Sequence, residues 1–509
     1  MRILEVLGRF LGAKASAVRT RAGGARKPQR PQGRPARDPG GDPTLANESS
    51  PADPSLPQLE VVMDPELMRE VFQRHLQPLE GETYQIRECQ ISYSHHRKAL
   101  RYLVHYDLRL AEPDTGREWS QLVTGVIYTK GRTQHKWEKL RRSGLGLGSA
   151  DASTPFAPFS YIPDLEMLVQ VFPYDHLLPA LPRLVAGPPP ELEPLSLARF
   201  GPGEWRAEAW KVEPIRYRVG QRATLRLTVR ARDAATGRVQ ERRFYAKAYL
   251  KEENGEQIYR IYRELWEKAS ARSSGFTVGR PIAYLSDLRT LVQEEAPGTS
   301  LEDILRREEE EAIPAVRRVA RALAALHLDD VVVPQRSHLR DEVDSLEKAG
   351  KLLQSACPHL GPRIEEIVGA VVAGLEEVPL APSHRDLKPG HFILDGDSVA
   401  LIDLDKCTMA DPMLDVANLL DNLVRVPPHS PRDHSRPVAG AFIEEYFAHV
   451  PEAWHARLPL HYAGILLRKA ASSLRHRRPD WPEWVETRLE EARDSLAGRV
   501  FGEGCPGWR

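Results

Sequence analysis

Residues 384–420 read HRDLKPGHFILDGDSVALIDLDKCTMADPMLDVANLL. Phe392–Leu394 and Val399–Ile402 are short apolar runs on either side of Asp395-Gly396-Asp397, the pattern of a tight hairpin. Such a hairpin returns the chain, so Asp403, seventeen residues after Asp386, comes back beside it. Lys388 projects from the same loop as Asp386. Asp411-Pro412 then opens a helical pattern carrying Asp415 on its first turn. One loop and one hairpin end thereby gather two carboxylates and a lysine, groups able to accept a proton and to hold a cation. His-Arg-Asp alone would say little. The loop, the seventeen-residue step and the Asp-Pro-x-x-Asp run together are specific.

The loop resembles the kinase pattern H-R-D-x-K-P-x-N, followed after a hairpin by a metal-binding aspartate. The whole stretch more closely resembles the aminoglycoside phosphotransferase and choline-kinase-like phosphotransferase family. There a strand ends in I-D-x-[DE] and D-P-x-x-D opens the next helix, here Ile402-Asp403-Leu404-Asp405 and Asp411-Pro412-Met413-Leu414-Asp415. The resemblance implies an α+β, protein-kinase-like bilobal fold with an antiparallel-sheet small lobe and a helical large lobe. It also implies ATP as phosphoryl donor, magnesium as the metal, and a small-molecule hydroxyl, of a sugar or amino-alcohol, as acceptor. On that reading Asp386 accepts the hydroxyl proton, Lys388 points at the γ-phosphate, and Asp403 holds the magnesium that bridges the phosphates.

One position departs from the pattern. His391 stands where the kinase pattern has asparagine. Imidazole suits hard magnesium poorly and manganese better. Either His391 bonds the loop while Asp405 supplies oxygen to the metal, or the site favours manganese. Both readings stay open.

Upstream, Phe244-Tyr-Ala-Lys247-Ala-Tyr249 reads as a strand, with Lys247 at the place of the lysine that contacts the α- and β-phosphates. A helix over 256–268 follows, its apolar face made of Ile258, Ile261, Tyr262 and Leu265. Glu264 is the expected ion-pair partner of Lys247, with Glu256 and Glu267 as competitors. Leu291-Val-Gln293-Glu294-Glu295 reads as the strand entering a hinge whose backbone would bind adenine. Ser300-Leu-Glu-Asp303 then caps a helix, and Ala315–His327 reads as a long helix with His327 as a structural contact at its end. The expected nucleotide loop, Tyr217 to Thr224, has the single glycine Gly220 and so lacks a G-x-G-x-x-G cradle.

A repeat organises the upstream half. Ile91-Ser-Tyr93 recurs as Ile215-Arg-Tyr217, Thr115-Gly-Arg117 as Thr236-Gly-Arg238, and Tyr161-Ile-Pro-Asp164 as Tyr284-Leu-Ser-Asp287, at offsets between 121 and 124 residues. Two copies of one α+β unit are expected, about 88–185 and 210–305. Gly125 is read as the counterpart of Lys247, which makes the first copy a small-lobe-like domain without a phosphate lysine. The Val171–Leu181 stretch resembles one in larger bacterial members of the family, and the first copy is expected to cap, homodimerise or shape an acceptor site rather than bind ATP. The expected domains are a disordered basic tail (1–57), a degenerate small-lobe-like domain (58–186), the small lobe (187–296) and a helical large lobe (297–509).

Composition narrows the class. Apolar residues at 41% and charged residues at 28%, over 509 residues, suit a multidomain globular chain. Balanced charge, 71 basic against 71 acidic residues, gives no reason to expect a nucleic-acid partner. Scattered Cys89, Cys357, Cys407 and Cys505 suit a reducing, cytoplasmic setting, and no apolar run reaches membrane-span length. Through Arg37 the chain carries ten Lys/Arg against Glu5, too polar to fold alone. Near the C-terminus Arg468, Lys469, Arg475, His476, Arg477 and Arg478 precede Trp481 and Trp484. They form either a solvated basic face or a surface for an anionic or sugar-phosphate-like acceptor. His391, the sparse nucleotide loop and the extra copy also admit a pseudokinase, a nucleotide-binding module without turnover. A protein kinase fits less well, because no D-F-G follows the hairpin.

Overall fold

A computed structural model describes residues 56–79, 83–97, 101–128, 131–143, 154, 156–272, 276–307, 309–425, 432–475 and 480–500. The basic segment through Arg37 lies outside the described residues. The chain divides into two compact units, 1–250 with 287–290, and 251–286 with 291–509. Among the described residues no helix is long and apolar enough to cross a membrane.

In the first unit, helix α1 (Pro65–His75) is capped by Asp64, whose carboxylate accepts from the amides of Glu66 and Leu67. Strands β1 (Gln85–Arg97), β2 (Arg101–Ala111) and β3 (Glu118–Tyr128) form an antiparallel meander. After α2 (Arg132–Arg142), β4 (Phe159–Ile162) and β5 (Met167–Val171) complete a sheet of order β1-β2-β3-β5-β4. Its alternating residues, among them Val104, Tyr106, Leu108, Val123 and Val169, pack on Met68 and Phe72 of α1. Gly125 belongs to this packed side: a Cβ there would lie 2.4 Å from Met167 Sδ.

A second meander follows: β6 (Trp205–Arg218), β7 (Arg222–Asp233) and β8 (Val239–Tyr249). Its β7–β8 turn repeats the β2–β3 turn bond for bond. Asp233 N–H donates to Arg238 O and Gly237 N–H to Asp233 O, as Glu112 does to Arg117 and Gly116 to Glu112. These equivalences are all 121 residues apart, so the strand register pairs Lys247 with Val126, not with Gly125. Leu103 opposes Val126 as Thr224 opposes Lys247. The correction matters because a one-residue slip moves a side chain to the other face of the sheet. The offset drifts from 121 at the turn to 123 further on, which misplaced the match by one.

The second unit begins with α3 (Glu252–Arg272), whose Ile258, Ile261, Tyr262 and Leu265 are buried as their spacing requires. Then come β9 (Thr277–Val278), β10 (Pro281–Leu285) and β11 (Thr290–Glu294), the last two neighbours in a sheet. Both copies turn between their short strands through a 3-10 step that ends in a left-handed non-glycine residue, Glu166 (φ 44°) and Arg289 (φ 48°).

The rest of this unit is helical: α4 (Leu301–Arg307), α5 (Glu309–His327), α6 (Leu339–Ala356), α7 (Gly361–Gly374), α8 (Met413–Leu423), α9 (Arg432–Phe447), α10 (Leu458–Arg475) and α11 (Trp481–Leu496). Between α7 and α8 lie β13 (Ala381–Ser383), β14 (Phe392–Asp395), β15 (Ser398–Leu401) and β16 (Thr408–Ala410). β12 (Thr299–Ser300) pairs with β14, β14 with β15, and β15 runs parallel to β9. Gly298 makes the β12–β14 approach possible: at φ 115° a Cβ there would fall 2.0 Å from Leu394 O. The architecture is α+β: two five-stranded antiparallel sheets come first in the chain and a largely helical region follows.

Candidate active site

The loop 384–391 joins β13 to β14, and its shape is imposed from below by one buried carboxylate. Asp415 Oδ2 accepts the amide of His384 (2.5 Å) and Oδ1 that of Arg385 (2.7 Å). His327 Nε2 lies 3.3 Å from the same carboxylate, and His327 Nδ1 lies 2.6 Å from the Tyr446 hydroxyl. Burial pushes the Asp415 carboxyl up, but the His327 bond and the nearby histidine charges outweigh it and hold it below the usual carboxylate range. Arg385 adopts a left-handed backbone (φ 66°) and sends its guanidinium to Glu342, which also pairs with Arg468 at 2.7 Å. Burial raises Glu342 in turn, and these two guanidiniums bring it below its ordinary value. From the other side, Asn418 and Asn422, one turn apart on α8, both donate to Leu387 O (2.9 and 3.1 Å).

His384 couples loop to hairpin. Its Nε2 donates to Ile402 O (2.9 Å), and its Nδ1 then accepts the Asp386 amide (3.4 Å), one tautomer serving both bonds. The His391 ring stacks on His384 at 5.4 Å, and its Nε2 lies 3.8 Å from Asp403 Oδ2. Burial, then the His384 ring, lower the His391 pKa to about 3, leaving it neutral at ordinary pH. The charges of Asp403, Lys388 and Asp386 also act on His391, Asp403 and Asp386 raising its pKa and Lys388 lowering it. The His391 Nδ1 is buried with no hydrogen-bond partner.

Asp403 stands in the left-handed region (φ 64°) at the end of the hairpin. The chain then turns through a 3-10 segment, Leu404–Lys406, which carries the half-buried Asp405. Lys406 Nζ approaches Asp386 Oδ1 at 3.3 Å, while Lys388 is exposed. The Tyr262 hydroxyl of α3 accepts the Leu404 amide (3.2 Å) and shares a bond with the Gln293 side chain.

A neutral imidazole whose Nε2 lies 3.8 Å from a carboxylate is a donor pair that fits a divalent cation of mixed nitrogen and oxygen preference. Among the described residues no three His, Cys, Asp or Glu side chains cluster as a complete protein cage. A phosphate-bridging ion does not need one, since it completes its shell with water and phosphate oxygen.

The remaining expected residues have local surroundings of their own. Glu264 is half-exposed and pairs with Lys268 of its own helix at 3.2 Å; Lys268 also meets Asp329 and Asp330. Glu256 pairs with Arg260 and Glu267 with Arg263. Gln293, Glu294 and Glu295 are half-buried, and the Glu294 amide donates to Arg280 O. In the first unit Lys247 is half-buried on β8, opposite Thr224.

Of the C-terminal cations, Arg468 serves Glu342 and Lys469 meets Asp421 at 2.6 Å. Trp484 covers the buried Arg488 guanidinium at 3.9 Å. These three groups therefore brace helices, whereas His476, Arg477 and Arg478 lie outside the described residues. Sequence reading missed Glu342, Lys406, Asn418, Asn422 and Tyr262. The two asparagines left a signal, amides at i and i+4 in a helix whose only other polar residues are Asp415 and Asp421.

Residues 216–460 match the family described as the Phosphotransferase enzyme family (APH). No curated protein matches the chain. Solved structures similar to it include a choline/ethanolamine kinase family protein from Mesorhizobium loti, 15% identical over 54% of this chain and 90% of that one, TM-score 0.35. The choline kinase LicA from Streptococcus pneumoniae is 16% identical over 57% and 94%, TM-score 0.35. The streptomycin–ATP–APH(2")-IIa ternary complex gives 12% over 61% and 99%, TM-score 0.37.

Proposed function

Because residues 216–460 match the phosphotransferase enzyme family, we propose that the protein is an ATP-dependent small-molecule kinase that phosphorylates a hydroxyl of a sugar or amino-alcohol. One observation carries this reading: Asp403 lies 3.8 Å from His391, His391 stacks on His384, and His384 holds the Asp386 amide, so a metal-directed carboxylate and a base meet at one pair of imidazoles, with Lys388 two residues beyond the base. Asp386 orients the acceptor hydroxyl and takes its proton. Lys388, exposed on the same loop, meets the charge of the transferring group. Lys247 is assigned to the α- and β-phosphates, and the backbone of Gln293–Glu295 to adenine. Asp403 and Asp405, with His391, are the residues that would hold magnesium or manganese, an ion that neutralises phosphate charge when bound. In this reading 187–296 is the small lobe, 297–509 the large lobe and 58–186 the degenerate copy.

Phosphoryl transfer here is a matter of position and charge, and the buried supports of the loop favour it. Asp415, itself held by His327, and Asn418 and Asn422 bind main-chain atoms on either side of Asp386, so the loop that carries it is set before any acceptor arrives. A second reading, a nucleotide-binding module without turnover, is favoured by the Lys406–Asp386 pair, which occupies the proposed base.

The test is ADP production with magnesium and with manganese across sugars, aminoglycosides and choline-like acceptors, alongside calorimetric nucleotide binding. Turnover by wild type that falls about 10²–10⁴-fold in Asp386→Asn supports the kinase. Tight binding with no turnover on any acceptor supports the module. Absence of nucleotide binding with either metal overturns both.

A further inference from the structure

The turn that joins β6 to β7, read above as the nucleotide loop, does not stand free in the first unit. Its tip residue Val219 is buried and packs with Leu103 and Val126 of the N-terminal copy. The Tyr217 ring meets Phe172 edge-on at 5.1 Å and His105 at 5.8 Å. Both the Tyr217 hydroxyl (2.9 Å) and the Gly220 amide (2.6 Å) donate to Asp175 Oδ2. The other oxygen, Oδ1, accepts the Leu177 amide at 2.8 Å, and the Asp175 side chain has no exposure at all. Leu177 packs against the turn: a Cβ on Gly220, already at φ 63°, would lie 2.7 Å from its Cδ1.

A carboxylate without solvent exposure is costly unless its lone pairs are used, and three donors from the chain use them here. Two of the three come from the nucleotide loop of the other copy, at sequence distances of 42 and 45 residues. A glycine-rich loop is ordered by the phosphates it wraps. This loop has one glycine and is ordered in advance by the chain itself. We propose that Asp175 is a positioning residue for the nucleotide, and that the N-terminal copy is the brace that holds the loop in its binding shape.

The inference rests on the kinase reading of 217–224. The ordering cost of the loop is met in folding rather than in binding. Releasing the clamp returns that cost to the binding step, so nucleotide affinity falls while chemistry on bound nucleotide changes less.

The experiment is calorimetric titration of the full chain with magnesium AMP-PNP, paired with thermal unfolding of the free protein. Asp175→Asn keeps the size but sets an amide against donors. Tyr217→Phe removes one donor and keeps the ring. Asp233→Asn is the control for a merely structural carboxylate, since Asp233 is also buried and ties a turn of the same meander through Thr236 and the Glu204 amide.

The expected result is affinity weaker by about tenfold in Asp175→Asn and about threefold in Tyr217→Phe, with Asp233→Asn within about twofold of wild type. If Asp175→Asn does not fold, Tyr217→Phe carries the test. Wild-type affinity in both clamp variants, or a loss no greater than that of Asp233→Asn, overturns the brace. Failure of wild type to bind at all overturns the kinase reading beneath it.

Discussion

The two copies of the α+β unit share a meander, a turn and a pair of short strands, yet they fill the equivalent of one position in opposite ways. The second copy places Lys247, half-buried, opposite Thr224; the first places Val126, fully buried, opposite Leu103. In the first copy that face is closed by Val219, Tyr217 and the segment after β5. The same backbone thus supports a cation-bearing surface or an apolar socket, and the choice is made by a few side chains. The two copies share the frame and differ in its occupant.

Exchanging the distinguishing residues tests that contrast most severely. Lys247→Val should cut phosphoryl transfer by about 10²–10³-fold, as loss of a charge donor at the phosphates does. Its melting temperature should stay close to wild type, because Lys247 is only half-buried. The reciprocal Val126→Lys should cost about 3 kcal/mol of stability by burying an unpaired ammonium. Denaturant titration reads that loss directly. Equal tolerance of both exchanges would erase the distinction between the copies.

A smaller effect separates them by pH. His105 of the first copy is buried, and burial lowers its pKa to about 4; the register gives Arg226 in its place in the second copy. The folded state resists protonating His105 while the unfolded chain accepts the proton near pH 6.5. Stability is therefore fully present above about pH 6.5 and declines as pH falls toward about 4, by at most ~1.4 kcal/mol per pH unit. His105→Phe should flatten that part of the acid limb in pH-dependent thermal unfolding. An unchanged slope would remove His105 from the account.

The finest distinction lies within the proposed site itself. His391→Asn restores the oxygen donor of the kinase pattern, and the ratio of magnesium- to manganese-supported turnover should rise a few-fold, worth about 1 kcal/mol. An unaltered ratio would mean that His391 only stacks on His384.

What the sequence revealed follows how far apart the interacting residues are. The hairpin 392–401 was legible because its strands, its turn and Asp403 are neighbours in the chain, and the strands pair as their pattern requires. The helix 252–272 was legible from its apolar face. Lys247 was matched to Gly125 because similar letters do not encode register; main-chain hydrogen bonds do. Glu342 was not legible, since its bond to Arg385 spans 43 residues and nothing local distinguishes it from a surface acid. Asp175 was quoted as part of an unusual stretch, but its role depends on donors that only the fold brings near. The C-terminal cations looked available for an anionic ligand because their acidic partners Glu342 and Asp421 lie elsewhere in the chain.

The suspension of the 384–391 loop from Asp415 has a consequence for motion. The amides of His384 and Arg385 end on a carboxylate enclosed among α5, α8 and α9, so neither can meet solvent without parting the helices that form the core. Fraying of the loop surface, where Lys388 is exposed, leaves those bonds untouched. The base of the loop is thus as slow as the large core itself, while its rim samples water on a much shorter timescale. Slow deuterium uptake at two adjacent amides, flanked by rapid uptake at Lys388, would be the signature of a reactive group mounted on a rigid post with a mobile edge.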